Sequence, residues 1–146
     1  MSLIAELLAL ALALPGVRHD VHAQRRGALV ASAIVREVRS VEEARLALVW
    51  AFAESSWRLD VTGDDGRSIG LCQNSLTEIA TARSTVRMVR VSAIEAARVC
   101  LHTFRIAALR CGGSLLSGLG YVATGRCSVG LSLVRRRCAA AGVSCR

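Results

Sequence analysis

The sequence predicts a mainly α, single-domain fold, and three observations carry that expectation. More than half of the residues are apolar (53%), yet only five are aromatic and one is proline, so packing rests on Leu, Val, Ile and Ala at helical spacing. A serine stands three positions ahead of an acid at Ser40–Glu43, Ser75–Glu78 and Ser92–Glu95, the capping signature of a helix start. The length of 146 residues suits one core and is short for two, so the whole chain, 1–146, reads as one domain.

Taken in order, helices are expected over 2–14, 20–38, 41–55, 75–82, 92–110, 114–123 and 128–141. The first is almost wholly aliphatic from Leu3 to Leu14 and stops at Pro15-Gly16. Val21-His22-Ala23 satisfies a small-x-small cleavage rule, but Glu6 lies inside the apolar run and no Lys or Arg precedes it, so a buried first helix is preferred to a signal peptide. The run is also shorter than the roughly 20 apolar residues that a bilayer span needs, and no transmembrane segment is expected elsewhere.

The helix over 41–55 places Val41, Ala44, Leu48, Val49 and Phe52 on one face, with Trp50 one turn before Glu54. Between 58 and 70 the pattern breaks. Gly63, Gly66 and Gly70 with Asp60, Asp64 and Asp65 predict a short loop or hairpin, with Leu59–Thr62 as a candidate strand. Gly112-Gly113, Gly125 and Gly142 separate the later helices.

The formal charge is 19 − 11 = +8, and every cation is an arginine. Arginine forks match phosphates and carboxylates, so anionic polymers are the expected partners, whether nucleic acid or cell-envelope material. Arg25-Arg26 and Arg135-Arg136-Arg137 would supply phosphate contacts, but few aromatics are present to stack bases and no helix-turn-helix pattern appears, so no specific nucleic acid is expected. The six cysteines, Cys72, Cys100, Cys111, Cys127, Cys138 and Cys145, fit either buried thiols or one or two disulfides in an oxidising compartment. No CxxC occurs, and His19, His22 and His102 stand at no zinc-ligand spacing, so neither metal nor cofactor is expected.

Glu54 is the residue that asks for an explanation. A carboxylate at a helix C-terminus is electrostatically disfavoured. Held against apolar side chains, a carboxyl keeps its proton more tightly, which suits a general acid.

Glu54-Ser55 at a helix end, a Gly-rich turn and then Gly70-Leu71-Cys72-Gln73 resemble the soluble lytic transglycosylase and goose-type lysozyme group, whose pattern is Glu-Ser followed by Gly-Leu-Met-Gln. Leu119-Gly-Tyr-Val-Ala-Thr-Gly125 is similar to the group's Ala-Tyr-Asn-Ala-Gly motif. The resemblance implies a lysozyme-like fold and cleavage of the β-1,4 bond between N-acetylmuramic acid and N-acetylglucosamine in peptidoglycan glycan strands. It implies Glu54 as general acid and base, Ser55 and Gln73 as supporting or glycan-contacting residues, and Tyr121 as a hydroxyl that restrains the catalytic carboxylate. Asp64 falls where goose-type lysozymes carry an acid, and Ser75 stands where a second acid often occurs. One carboxylate suffices for the transglycosylase route, which is preferred, and two are usual for hydrolysis. Cys72 in place of Met, Asn74 in place of an aliphatic residue and Val122 in place of Asn depart from the pattern. The resemblance also implies an extracytoplasmic site of action at the cell wall, as for phage-encoded or virion-carried murein enzymes. A lysozyme-like assembly scaffold and a basic helical nucleic-acid module are the alternatives.

Overall fold

The computed structural model describes residues 2–128 and 130–145. It is mainly helical: α1 (Leu3–Ala13), α2 (Val21–Glu37), α3 (Val41–Ser55), α4 (Leu76–Thr81), α5 (Val86–Val91), α6 (Ala93–Arg110), α7 (Leu115–Thr124) and α8 (Leu131–Ala140). A small antiparallel sheet, β1 (Thr62–Gly63), β2 (Ser68–Ile69) and β3 (Asn74–Ser75), lies between α3 and α4. Its register pairs Gly63 with Ser68 and Ile69 with Asn74.

The capping serines act as the sequence predicts. Ser40 accepts from the Glu43 N–H, Ser92 from the Glu95 N–H, and Ser75 and Glu78 form a reciprocal capping box. The fold differs from expectation at α5. Thr85 caps that helix by accepting from the Met88 N–H, and with a methionine where an acid would complete a capping box, the sequence carries no start signal there. Leu59–Thr62 is not a strand as a unit: only Thr62 enters the sheet, and the predicted hairpin gains a third strand from Asn74–Ser75. The last helix starts at Leu131, and position 129 within the predicted span 128–141 lies outside the described residues.

The core is continuous, and α3 and α6 run through it. Helix α6 buries Ala97, Leu101, Phe104 and Ala108 and packs against α2 and α7, while α1 seats Leu7 and Ala11 against α2 and α3. Helix α3 is not the one-faced helix that its spacing predicts. It buries Ala44 and Leu46 to Ala51 around most of its circumference and leaves Val41 exposed. All six cysteines are oxidised, as Cys72–Cys100, Cys111–Cys127 and Cys138–Cys145, which corrects the expectation of free thiols or at most two bridges. Among the described residues no single helix is long and apolar enough to cross a membrane, and no cluster of His, Cys, Asp or Glu comes together that could hold a metal.

Candidate active site

Helix α3 ends abruptly, and the way it ends builds the site. Ser56 (φ 52°) and Trp57 (φ 61°) are both left-handed, a conformation that costs non-glycine residues energy and persists only where the surroundings enforce it. The enforcing contacts are on Trp57, whose indole N–H donates to the Leu48 carbonyl at 2.9 Å and whose ring lies 4.8 Å from that of Phe52. The same ring packs so close to Gly27 of α2 that a Cβ there would come within 2.6 Å of it, so α2 needs a glycine at that point. The buried indole therefore pulls the chain back on itself just after Glu54-Ser55.

Ser55 joins the two sequence motifs. Its hydroxyl, buried, donates to the Leu71 carbonyl at 2.7 Å, with the Ala51 carbonyl 3.0 Å away. Glu54-Ser55 is thus held directly against Gly70-Leu71-Cys72-Gln73. The Cys72–Cys100 disulfide ties that second motif to α6.

Glu54 is partly buried, its side chain 22% exposed, and it forms an ion pair through Oε1 with Arg137 of α8. The Arg137 guanidinium also lies 4.1 Å from the centre of the Trp50 ring, one turn back along α3. The expectation of a carboxyl set against apolar side chains is corrected: Glu54 is paired with a cation, and it is that cation, Arg137, which lies over the Trp50 ring. A readable signal existed: Arg137 stands three residues after Val134 and next to Cys138, the buried residues of α8.

The other expected site residues divide. Gln73, itself left-handed (φ 52°), directs its amide N–H groups to the carbonyls of Val61 (3.3 Å) and Gly70 (2.9 Å), and its Oε1 lies where a Cβ on Gly63 would intrude at 2.4 Å. It braces the sheet loop. Asp64 stands in the exposed turn between β1 and β2, where its carboxylate accepts from the Ser68 hydroxyl and its carbonyl from Arg67. Ser75 caps α4. Tyr121 is bonded through its hydroxyl to Arg110, whose guanidinium lies 5.1 Å from the ring centre, and not to Glu54. It lines a pocket of about 320 Å³ between α4, α6 and α7, shared with Glu78, His102, Thr103 and Arg110. Asn74 of β3 donates to Thr103 of that lining at 3.1 Å, and His102 Nε2 is buried without a hydrogen-bond partner among the described residues.

Glu43, marked in the sequence as a capping acid, is a charged core residue of α3. Glu43, only 4% exposed, receives both Nε (2.7 Å) and Nη2 (2.8 Å) of Arg105 and the Arg39 N–H (2.7 Å). Burial alone pushes its carboxyl up, but the Arg105 guanidinium and the Arg39 N–H outweigh that and hold it below the usual glutamate range.

The arrangement is that of a helix-end carboxylate paired with a guanidinium that lies over an aromatic ring, next to a serine that holds a cross-linked loop. No protein-family model, curated protein or solved structure matches this chain.

Proposed function

We propose that the protein cleaves peptidoglycan glycan strands with Glu54 as general acid and base. The observation that carries this reading is the Ser55 hydrogen bond to Leu71, which holds the Glu-Ser and Gly-Leu-x-Gln motifs together at the strained end of α3. In the proposed reaction the Glu54 carboxyl gives its proton to the oxygen of the β-1,4 bond as the bond breaks. It then takes the proton of the sugar's own 6-hydroxyl, which closes a 1,6-anhydro ring without water. The single-acid transglycosylase route is preferred to hydrolysis because Asp64, the candidate for a water-orienting acid, is engaged by Ser68 in an exposed turn.

The charge supports the same setting. Arg135 and Arg136 are exposed on α8, and a chain of charge +8 is drawn to anionic polymers of the cell envelope. The site of action proposed is therefore extracytoplasmic. The second reading, a wall-binding module without turnover, draws on the occupation of Glu54 Oε1 by Arg137.

Digestion of purified sacculi followed by mass analysis tests both. Anhydro-muramyl ends support the transglycosylase route, reducing ends indicate hydrolysis, and intact sacculi that nonetheless retain the protein favour the binding module. Glu54→Gln is expected to slow release by about 10²- to 10⁴-fold, the usual range for a general acid–base group. Equal clearing by both proteins would dismiss the assignment.

A further inference from the structure

We propose that Arg137 is a positioning residue for this reaction: it grips Glu54 Oε1 and leaves Oε2 as the oxygen that exchanges protons with the sugar. The inference rests on the reading of Glu54 as the general acid and base, and it transfers to Arg137 the restraining role that the family resemblance gives Tyr121.

Five observations support it. The ion pair joins positions 83 residues apart, so the fold and not local sequence creates it. The guanidinium is itself fixed, stacked 4.1 Å over the ring of Trp50, a residue only 2% exposed. Arg137 adjoins Cys138, which is buried and bonded to Cys145, so the end of α8 that carries the guanidinium is cross-linked to the following chain. Tyr121, meanwhile, is held by Arg110 in the pocket between α4, α6 and α7. Glu54 Oε2 has no hydrogen-bond partner among the described residues.

The chemistry favours arginine for such a task. A glutamate at a helix end has three side-chain torsions to settle before its oxygen meets a bond, and settling them in advance raises the fraction of productive encounters. A planar guanidinium can lie on an indole and still present N–H groups at its edge, which the ammonium of lysine cannot do.

The test compares wild type, Arg137→Gln and Arg137→Lys on dye-labelled sacculi, with thermal melting as the check on folding. Arg137→Gln is expected to lose about 100-fold in kcat with KM nearly unchanged, the scale of a misplaced catalytic group. Arg137→Lys, which keeps the charge and the stem, is expected to recover part of that loss, and it carries the test alone should the glutamine variant not fold: its kcat must then fall at constant KM. Wild-type or faster turnover by Arg137→Gln would overturn the inference and leave Glu54 standing. Loss seen only in KM would overturn it too. A wild type that leaves sacculi intact would overturn the reading of Glu54 and this inference together.

Discussion

The two ends of α3 each carry a glutamate paired with an arginine from a distant helix, and they are built in opposite ways. At the N-terminal end Glu43 is buried, receives three hydrogen bonds and lies in the first turn, where the helix field welcomes a negative charge. At the C-terminal end Glu54 is partly open, bound through one oxygen, placed against the helix field and followed by two left-handed residues. The first pair holds the chain together. The second is kept by its neighbours at a helix end whose field opposes its charge.

The largest effect that separates them is on the fold. Removing one partner of a buried pair strands the other, so Glu43→Ala is expected to cost about 3 to 5 kcal/mol, read as a lower urea midpoint. The Arg105 guanidinium, which also donates to the Glu37 carbonyl at 2.6 Å, would be left without its carboxylate. A loss below about 1 kcal/mol would mean that the two ends of α3 are not different in kind.

Close behind comes the cross-link at the site end, where the ion pair is only partly buried. Cys72 and Cys100 are separated by 28 residues, and closing a loop of that size limits the unfolded chain by about 3 to 4 kcal/mol. The paired Cys72→Ser and Cys100→Ser variant should therefore lose nearly as much stability as Glu43→Ala. It should also release the Gly-Leu-x-Gln loop from α6, so its loss of murein clearing is expected to exceed that of Glu43→Ala when both are compared well below their melting temperatures.

What could be read from the sequence, and what could not, follows the same division. Capping serines act within four residues, so α3, α4 and α6 were legible, as was the place of Glu54 at the end of α3. Helix α5 was hidden because Met88 stands where its capping acid would be. The Glu43–Arg105 and Glu54–Arg137 pairs span 62 and 83 positions, and the three disulfides also depend on how the helices pack, which no local pattern encodes. Gln73 and Tyr121 are singled out by the family resemblance alone, and their partners, the carbonyls of Val61 and Gly70 and the Arg110 guanidinium, belong to tertiary structure.

Acid provides a gentler contrast. The folded Glu43 carboxyl lies below its ordinary value of 4.5, so its pair contributes fully above about that pH and its contribution is lost as the pH falls through the folded value. Glu95, lowered chiefly by its hydrogen bonds from Arg98, adds to the same slope. Urea midpoints taken on either side of about pH 4.5 should thus fall more steeply for wild type than for Glu43→Gln, while Glu95 leaves the variant some residual slope. Parallel profiles would remove the charge from the account of Glu43.

The smallest effect is the most telling for the site. Replacing Glu54 by Gln removes a partly exposed ion pair, commonly about 0 to 1 kcal/mol, and also removes a negative charge from a helix C-terminus, a relief of about 0.3 to 1 kcal/mol. The two nearly cancel, so Glu54→Gln should unfold within about 0.5 kcal/mol of wild type by urea titration even as murein clearing is lost. A marked destabilisation would make Glu54 a structural acid like Glu43. A marked stabilisation would mean that the strained end of α3 works against the folded state more than the Arg137 contact offsets, and that is the trade expected of a carboxylate retained for reaction.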